Sequence, residues 1–217
     1  EHYSQAVRAD PNYAIAYSGL ADAYTILQGY DKSVSPLASH SKAREYASKA
    51  LSLDDTLSEA HVSYGLVIQS VDFDFAGAER EFKRAIELDP KNAGAYFYFA
   101  LLLTCLGRFD EAEANFRHAL ELEPASQNAN RNYGNFLMIA RRFDESEKQL
   151  RKTVELDPNF QVAYFSLANI LQMQRKYADS VETYARAREV AGNVAEAAAM
   201  RASFKKGGWR GFVVDFS

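Results

Sequence analysis

Apolar residues recur along this chain at three- and four-residue steps, and the amphipathic helices they predict come in pairs. Residues 91–124 carry Tyr96, Phe99, Ala100 and Leu103, then Ala112, Phe116 and Ala119, and close on Pro124. Residues 159–192 repeat the arrangement with Tyr164, Leu167, Ala168 and Leu171, then Ser180, Tyr184 and Ala187, closed by Gly192. Residues 56–90 give His61, Tyr64, Gly65 and Ile68, then Ala78, Phe82, Ala85 and Pro90. Residues 12–55 give Tyr17, Leu20, Ala21 and Tyr24, then Ala43, Ala47 and Ala50, with Asp55 where a proline would stand. The most divergent stretch is 125–158, with Asn130, Tyr133, Gly134 and Leu137, then Ser146, Leu150, Thr153 and Pro158. Pro90, Pro124 and Pro158 are 34 residues apart, so the pattern is an internal repeat.

The small residues have a mechanical meaning. Ala100 or Gly134 in a first helix, and Ala112 or Ala119 in a second, let two backbones approach while aromatic rings fill the gaps beside them. Short polar turns join the halves, as in Leu106-Gly107-Arg108-Phe109-Asp110 and Ala140-Arg141-Arg142-Phe143-Asp144. Glycine or arginine is expected to end the first helix and Asp to cap the second. Proline then stops the second helix, because it cannot continue the hydrogen-bond ladder. His61 occupies an aromatic position of its repeat, which predicts a packed core residue.

With an aromatic and small residues in the first helix, and Ala and an aromatic before a closing Pro in the second, the repeat resembles the tetratricopeptide repeat family. The resemblance covers nearly the whole chain. It implies an all-α fold, a right-handed superhelical solenoid of antiparallel helix pairs whose first helices line the concave side. The expected organisation is a single solenoid over 1–217. Residues 1–10 are the tail of a preceding second helix, the repeats run over about 12–55, 56–90, 91–124, 125–158 and 159–192, and 193–217 is a capping segment or partial repeat. Two units depart from the pattern. The first is longer, with the excess between its helices at Gln28 to Ser39, including Gly29 and Pro36, which predicts an extended loop. The second has one extra turn residue around Asp72-Phe73-Asp74-Phe75. Together with the terminal Gly207-Gly208-Trp209-Arg210-Gly211-Phe212, these features resemble the repeat regions of certain bacterial signalling proteins, in which such a stack follows a winged-helix, kinase or cyclase module. The chain opens on Glu1, inside a helical pattern, which reads as a segment of a longer protein.

Composition narrows the function. Of 217 residues, 47% are hydrophobic and 25% charged, enough apolar surface to offset chain entropy in an ordered fold. A net charge of −4, with no segment dense in Lys and Arg, argues against nucleic acid as the partner. The single Cys105 excludes an intramolecular disulfide and a cysteine-based zinc site. A lone thiol suits a reducing compartment such as the cytoplasm and is also compatible with a periplasm. The longest apolar run, Ala93 to Leu106, stops at Gly107-Arg108, so membrane insertion of this segment is not expected. His2, His40, His61 and His118 are scattered, with no metal-ligand spacing, and Gly207-Gly208 lacks the signature of a phosphate loop. Carboxylates such as Glu79, Glu81, Glu87, Glu111, Glu113 and Glu121 alternate with Arg and Lys on second helices, the pattern of a solvated face braced by ion pairs. Neither an enzyme nor a cofactor is expected.

A protein or peptide ligand is the expected partner. Residues of the first helices that point away from the core pattern form four rows. The first is Ser18, Val62, Phe97, Arg131 and Phe165, and the second is Gly19, Ser63, Tyr98, Asn132 and Ser166. The third is Asp22, Leu66, Leu101, Asn135 and Asn169, and the fourth is Thr25, Gln69, Thr104, Met138 and Gln172. From these, Phe97, Tyr98, Leu101, Arg131, Asn132, Asn135, Phe165, Asn169 and Gln172 are the candidate peptide-binding residues. Amides can both donate to and accept from an extended backbone, Arg131 can pair with a carboxylate, and the rings can take apolar side chains. Asn128 and Asn130 add further amides. Asparagine costs roughly half a kcal/mol relative to alanine in a helix interior, so the run Asn128 to Asn135 needs a compensating reason. Members of that family that bind chaperones hold acidic tails in a two-carboxylate clamp of Lys and Asn on successive first helices. Arg131 and Asn135 echo one part of it, but Val62, Phe97 and Phe165 stand where its lysines would be. One alternative is an assembly module, a homodimer joined through the solenoid ends, with Trp209 and Phe212 as docking residues. Another is a regulatory module for an effector enzyme or transcription factor in the parent chain.

Overall fold

The computed structural model describes residues 2–27 and 35–216. Within them lie twelve helices and no strand: α1 (His2–Ala9), α2 (Ala14–Leu27), α3 (Pro36–Leu53), α4 (Ser58–Val71), α5 (Phe75–Leu88), α6 (Ala93–Cys105), α7 (Phe109–Leu122), α8 (Gln127–Ile139), α9 (Phe143–Leu156), α10 (Gln161–Met173), α11 (Tyr177–Val190) and α12 (Val194–Phe216). The expected all-α fold of paired helices is the fold observed. Contacts group the chain into two compact units, Glu1–Glu123 and Pro124–Ser217. In the first, α2 pairs with α3, α4 with α5 and α6 with α7, while α1 rests on α2. In the second, α8 pairs with α9 and α10 with α11, and α12 packs on α11. First helices of successive pairs lie side by side, α2 with α4, α4 with α6, and α8 with α10.

The pairs close because their facing positions are small. Ala43, Ala47 and Ala50 of α3, Ala78 and Ala85 of α5, and Ala112 of α7 are fully buried. Phe82 and Phe116 fill the gaps between them, also with no exposure. Gly65 and Gly134 mark close approaches within their own pairs. A Cβ on Gly65 would stand 2.8 Å from the Phe82 ring, and one on Gly134 would stand 2.6 Å from Cγ of Leu150. Where two second helices carry serine in place of alanine, the hydroxyl is satisfied across the pair. Ser146 donates to the Gly134 carbonyl at 2.7 Å and Ser180 to that of Ala168 at 2.9 Å. A buried hydroxyl with a partner costs little, so serine substitutes for alanine there without opening the pair.

Three local expectations are corrected. Asp110 and Asp144 do not cap the second helices; they sit in the first turns, and Arg108 and Arg142 hold the N-cap positions with no side-chain cap bond. Each arginine instead grips the glutamate three residues on, Arg108 on Glu111 and Arg142 on Glu145, through two bonds of 2.6–2.7 Å. Asp74 alone follows the expected chemistry, accepting from the Gly77 N–H at 2.8 Å. His61 is half-buried rather than packed in the core. Its ring nitrogens lie 2.6 Å from Glu81 and 2.9 Å from the Asp55 carbonyl oxygen, so polar partners hold it. The loop expected over Gln28 to Ser39 is shorter, since α3 begins at Pro36, where a ring-fixed φ suits a first helical residue. Residues 28–34, with Gly29, lie outside those described.

The C-terminal segment breaks at Gly208, whose φ of 59° and ψ of −156° belong to a region open essentially to glycine. The chain reverses there and lays Trp209, Phe212 and Phe216 against Val181, Ala185, Ala197 and Met200. Trp209 stacks on Tyr177 at 4.7 Å and on Phe212 at 5.3 Å, and Phe212 is buried.

Two outcomes follow from this packing. Gly134→Ala should destabilise by roughly 1–3 kcal/mol through overpacking, despite the roughly 1 kcal/mol that alanine gains in helix propensity. In urea unfolding the pair Gly134→Ala and Leu150→Ala should lose less than the sum of the single losses, because the second substitution removes the clashing atoms. Gly208→Ala should cost roughly 1–3 kcal/mol and shift the emission of the sole tryptophan to the red. Gly207→Ala, with no atom within 4 Å of its added Cβ, should do neither.

Candidate functional site

The residues expected to line a binding face lie on the first helices of both units, and each unit presents its own part. In the first unit, Phe97 and Tyr98 of α6 meet edge to face at 4.8 Å, and Phe97 also lies 6.3 Å from the Phe116 ring. Both are half-buried, as is Leu101 one turn on. Ser18, Val62 and Ser63, expected in the groove rows, are buried. The reason is the side-by-side placement of α2 and α4: Ser63 Oγ donates to the Asp22 carboxylate at 2.7 Å and approaches the Ser18 carbonyl at 3.3 Å. Burial raises the Asp22 pKa to about 6, and the Ser63 bond offsets only part of that shift. The phenol of Tyr98 is pushed up too, by its burial first and then by the Asp22 charge. Periodicity placed Asp22 in a row but gave no sign of this desolvation.

In the second unit α8 carries Arg131, Asn132 and Asn135, all half-buried, and α10 carries Phe165, Asn169 and Gln172. Asn169 and Gln172 are exposed and Ser166 is buried. Met138 packs inward against Leu150, Leu167, Ile170 and Leu171. The asparagine run has a structural explanation. Asn130, expected as part of the amide surface, is fully buried; its amide donates to the carbonyls of Pro124 and Ser126 and its oxygen accepts from Gln149. It ties the start of α8 to the preceding chain and to α9, which recovers its poor helix propensity. Asn132 donates to the Asn128 carbonyl at 2.9 Å, one turn back on the same helix.

Phe165 and Gln172 share a hollow of about 300 Å³ with Tyr184, Arg188, Met200, Trp209, Phe212, Val213 and Phe216. Residues expected in a peptide groove and residues expected at a docking end thus line one cavity. Tyr184 and Arg188 were not among the expected residues. Tyr184 occupies a core position of its repeat, yet its ring faces Phe165 at 6.2 Å and its hydroxyl donates to Asn169 Oδ1. The Arg188 guanidinium lies over the Phe165 ring at 5.5 Å and pairs with Glu196 at 3.1 Å. The sequence signal was faint: Arg188 stands one helical turn after Tyr184, on a helix otherwise patterned for the core.

Ion pairs on the second helices hold neighbouring pairs together. Glu79 takes both Lys83 and Arg108, and Glu147 takes both Arg151 and Lys176. Hydrogen bonds from Lys83 and Arg108 hold the Glu79 carboxyl below its usual range. Burial alone would raise Glu147, but Lys176 and Arg151 hold it down. Among the described residues, no group of three or more His, Cys, Asp or Glu is placed to hold a metal ion, and no helix is long and apolar enough to cross a membrane. Cys105 is exposed.

Comparison with known proteins follows the same lines. The chain shows 19% identity to YrrB, described as a TPR protein with an unusual peptide-binding site, with a TM-score of 0.55 over 93% of this chain and 98% of that one. It matches MamA at 19% identity and a TM-score of 0.60, over 74% of this chain and 93% of that one. The pilF protein of Pseudomonas aeruginosa matches at 20% identity and a TM-score of 0.58, over 92% and 99%. At these identities the likeness speaks for the fold. No curated protein sequence matches. Tetratricopeptide repeat family models match residues 81–114, 106–165 and 140–193, together just over half of the sequence. On its repeat pattern, its helix pairs and these matches, the chain belongs to the tetratricopeptide repeat family.

Proposed function

We propose that this chain is a non-catalytic scaffold that holds a peptide segment of another protein along the faces of its first helices. The observation that carries the reading is the hollow of the second unit. Its aromatic lining and about 300 Å³ suit one bulky apolar side chain, and exposed Asn169 and Gln172 stand on the same helix to meet a peptide backbone. Phe97, Tyr98 and Leu101 give the first unit a second apolar contact. YrrB, similar in fold, is described as having a peptide-binding site, which accords with this use of the fold. Glu79 and Glu147 on the second helices are each held below the usual range by two cations, the opposite of a carboxyl poised for general acid work.

Self-association through the ends is the rival. The packing of Trp209 and Phe212 weighs against it, since both rings are spent on covering α11, and Val214 is the large apolar residue most exposed in that segment, at 74%.

The test is selection from a random dodecapeptide display library, with light scattering in parallel. The native chain should enrich peptides carrying a bulky apolar residue. Asn169→Ala with Gln172→Ala should weaken the selected peptides about tenfold or more while leaving the circular dichroism unchanged. No enrichment, together with a concentration-dependent dimer abolished by Val214→Asp, would transfer the function to the ends.

A further inference from the structure

The hollow of the second unit is apolar on most sides and charged on one. Its walls are aromatic and aliphatic, and Tyr184 directs its hydroxyl to Asn169 Oδ1. Among the described residues that line it, the guanidinium of Arg188 is the one ionised group, and no carboxylate is present.

Neighbouring arginines are engaged by carboxylates. Arg201 donates to Glu182 and Glu189 at 2.6–2.8 Å, and Arg186 donates to Glu189 at 2.9 Å. Arg188 differs. Its buried Nε lies 3.1 Å from Glu196 Oε1 without a directed hydrogen bond, and its terminal nitrogens have no hydrogen-bond partner among the described residues. The Phe165 ring, with its centroid 5.5 Å away, steadies the guanidinium at the wall of the hollow. An anion from a ligand would complete these donors through a bidentate, charge-assisted pair. A neutral group would leave them unmade, and a basic one would meet repulsion.

Size decides how that anion arrives. About 300 Å³ holds one bulky side chain, and the rings around it stand only 5.3–6.2 Å apart, centre to centre. Arg188 belongs to the same wall, so the apolar group and the carboxylate have to come from one residue. In an extended segment, adjacent side chains point to opposite faces, and the next one on the same face stands roughly 7 Å further along. An internal apolar and acidic couple would need two residues in the space of one. A chain end carries both groups on a single α-carbon.

We propose that the hollow receives the C-terminal residue of the held peptide, with a bulky apolar side chain among the rings and its free carboxylate on Arg188. The inference rests on the peptide-binding reading and adds which end of the peptide is read, and where. Gln172, also in the lining, offers its amide to the last peptide group. Glu196 competes with the ligand for Arg188 and lowers its affinity. The arrangement is distinct from a two-carboxylate clamp on successive first helices: the cation stands on α11, a second helix, and reads one carboxylate beside an apolar side chain.

Two readouts test this. The first uses N-acetylated peptide pools, randomised except for a last residue fixed as Phe, Leu, Ala or Lys, each made as free acid and as amide. The native chain should bind the Phe and Leu acids about tenfold or more tighter than their amides, and tighter than the Ala and Lys acids. Arg188→Gln should bind Phe acids and amides alike, at the native affinity for amides. Glu196→Gln should widen the gap, and the opposite directions of the two variants separate a lost contact from a lost fold. Equal binding of acids and amides by the native chain, or a preference that survives in Arg188→Gln, would overturn the proposal and leave the scaffold reading intact. The second readout is the emission of Trp209, the sole tryptophan, which lines the hollow. N-acetylphenylalanine should change that emission saturably, and N-acetylphenylalanine amide should do so about tenfold more weakly. An emission unmoved by the acid, or moved equally by both, would also overturn the proposal. Failure of every pool to bind, with the emission still preferring the acid, would uphold the carboxylate-reading hollow and remove the scaffold reading.

Discussion

Everything in this fold depends on how closely two helix backbones can approach. Fully buried alanines, Gly65 against Phe82 and Gly134 against Leu150 set that distance pair by pair. A single helix cannot bury its apolar stripe, and a pair does so only incompletely, so each pair needs a neighbour to finish its core. Close approach therefore fixes the stacking as well. The second helices also carry the ion pairs that join neighbouring pairs, Arg108 to Glu79 and Lys176 to Glu147.

The sequence made the repeating skeleton legible because it is encoded by residue size. Small residues at fixed steps survive as a pattern even where Ser146 and Ser180 replace alanine, since a hydroxyl bonded across the pair occupies nearly the same place. What escaped the pattern was the polar chemistry. Asn130 looked like part of a binding surface, but its amide is spent inside, on the carbonyls of Pro124 and Ser126 and on Gln149. Arg108 and Arg142 took the cap positions expected of no basic residue, because a bidentate grip on a glutamate three residues on organises the turn as well as an aspartate cap would. Periodicity assigns a face; it does not say whether a polar group on that face turns inward to a partner.

The candidate site shows the same division. Phe97, Tyr98, Phe165, Asn169 and Gln172 could be proposed from rows alone, whereas Arg188 and Tyr184 come from α11 and meet Phe165 across the α10–α11 pair, and the chain after Gly208 closes the hollow beside them. Asp22 was visible as a residue and invisible as a chemistry, since its acidity depends on burial and on a hydrogen bond from Ser63, 41 positions away. On the second helices, Glu79 and Glu147 each accept from two cations.

The central claim is that the first helices form the working face. Hydrogen–deuterium exchange of the native chain, with and without a peptide selected from the random library, tests it most directly. Slowed exchange concentrated on α6, α8 and α10, with the second helices unchanged, is the result this account predicts. Protection confined to the second helices, or to the terminal segment after Gly208 without any on α6, α8 or α10, would contradict it.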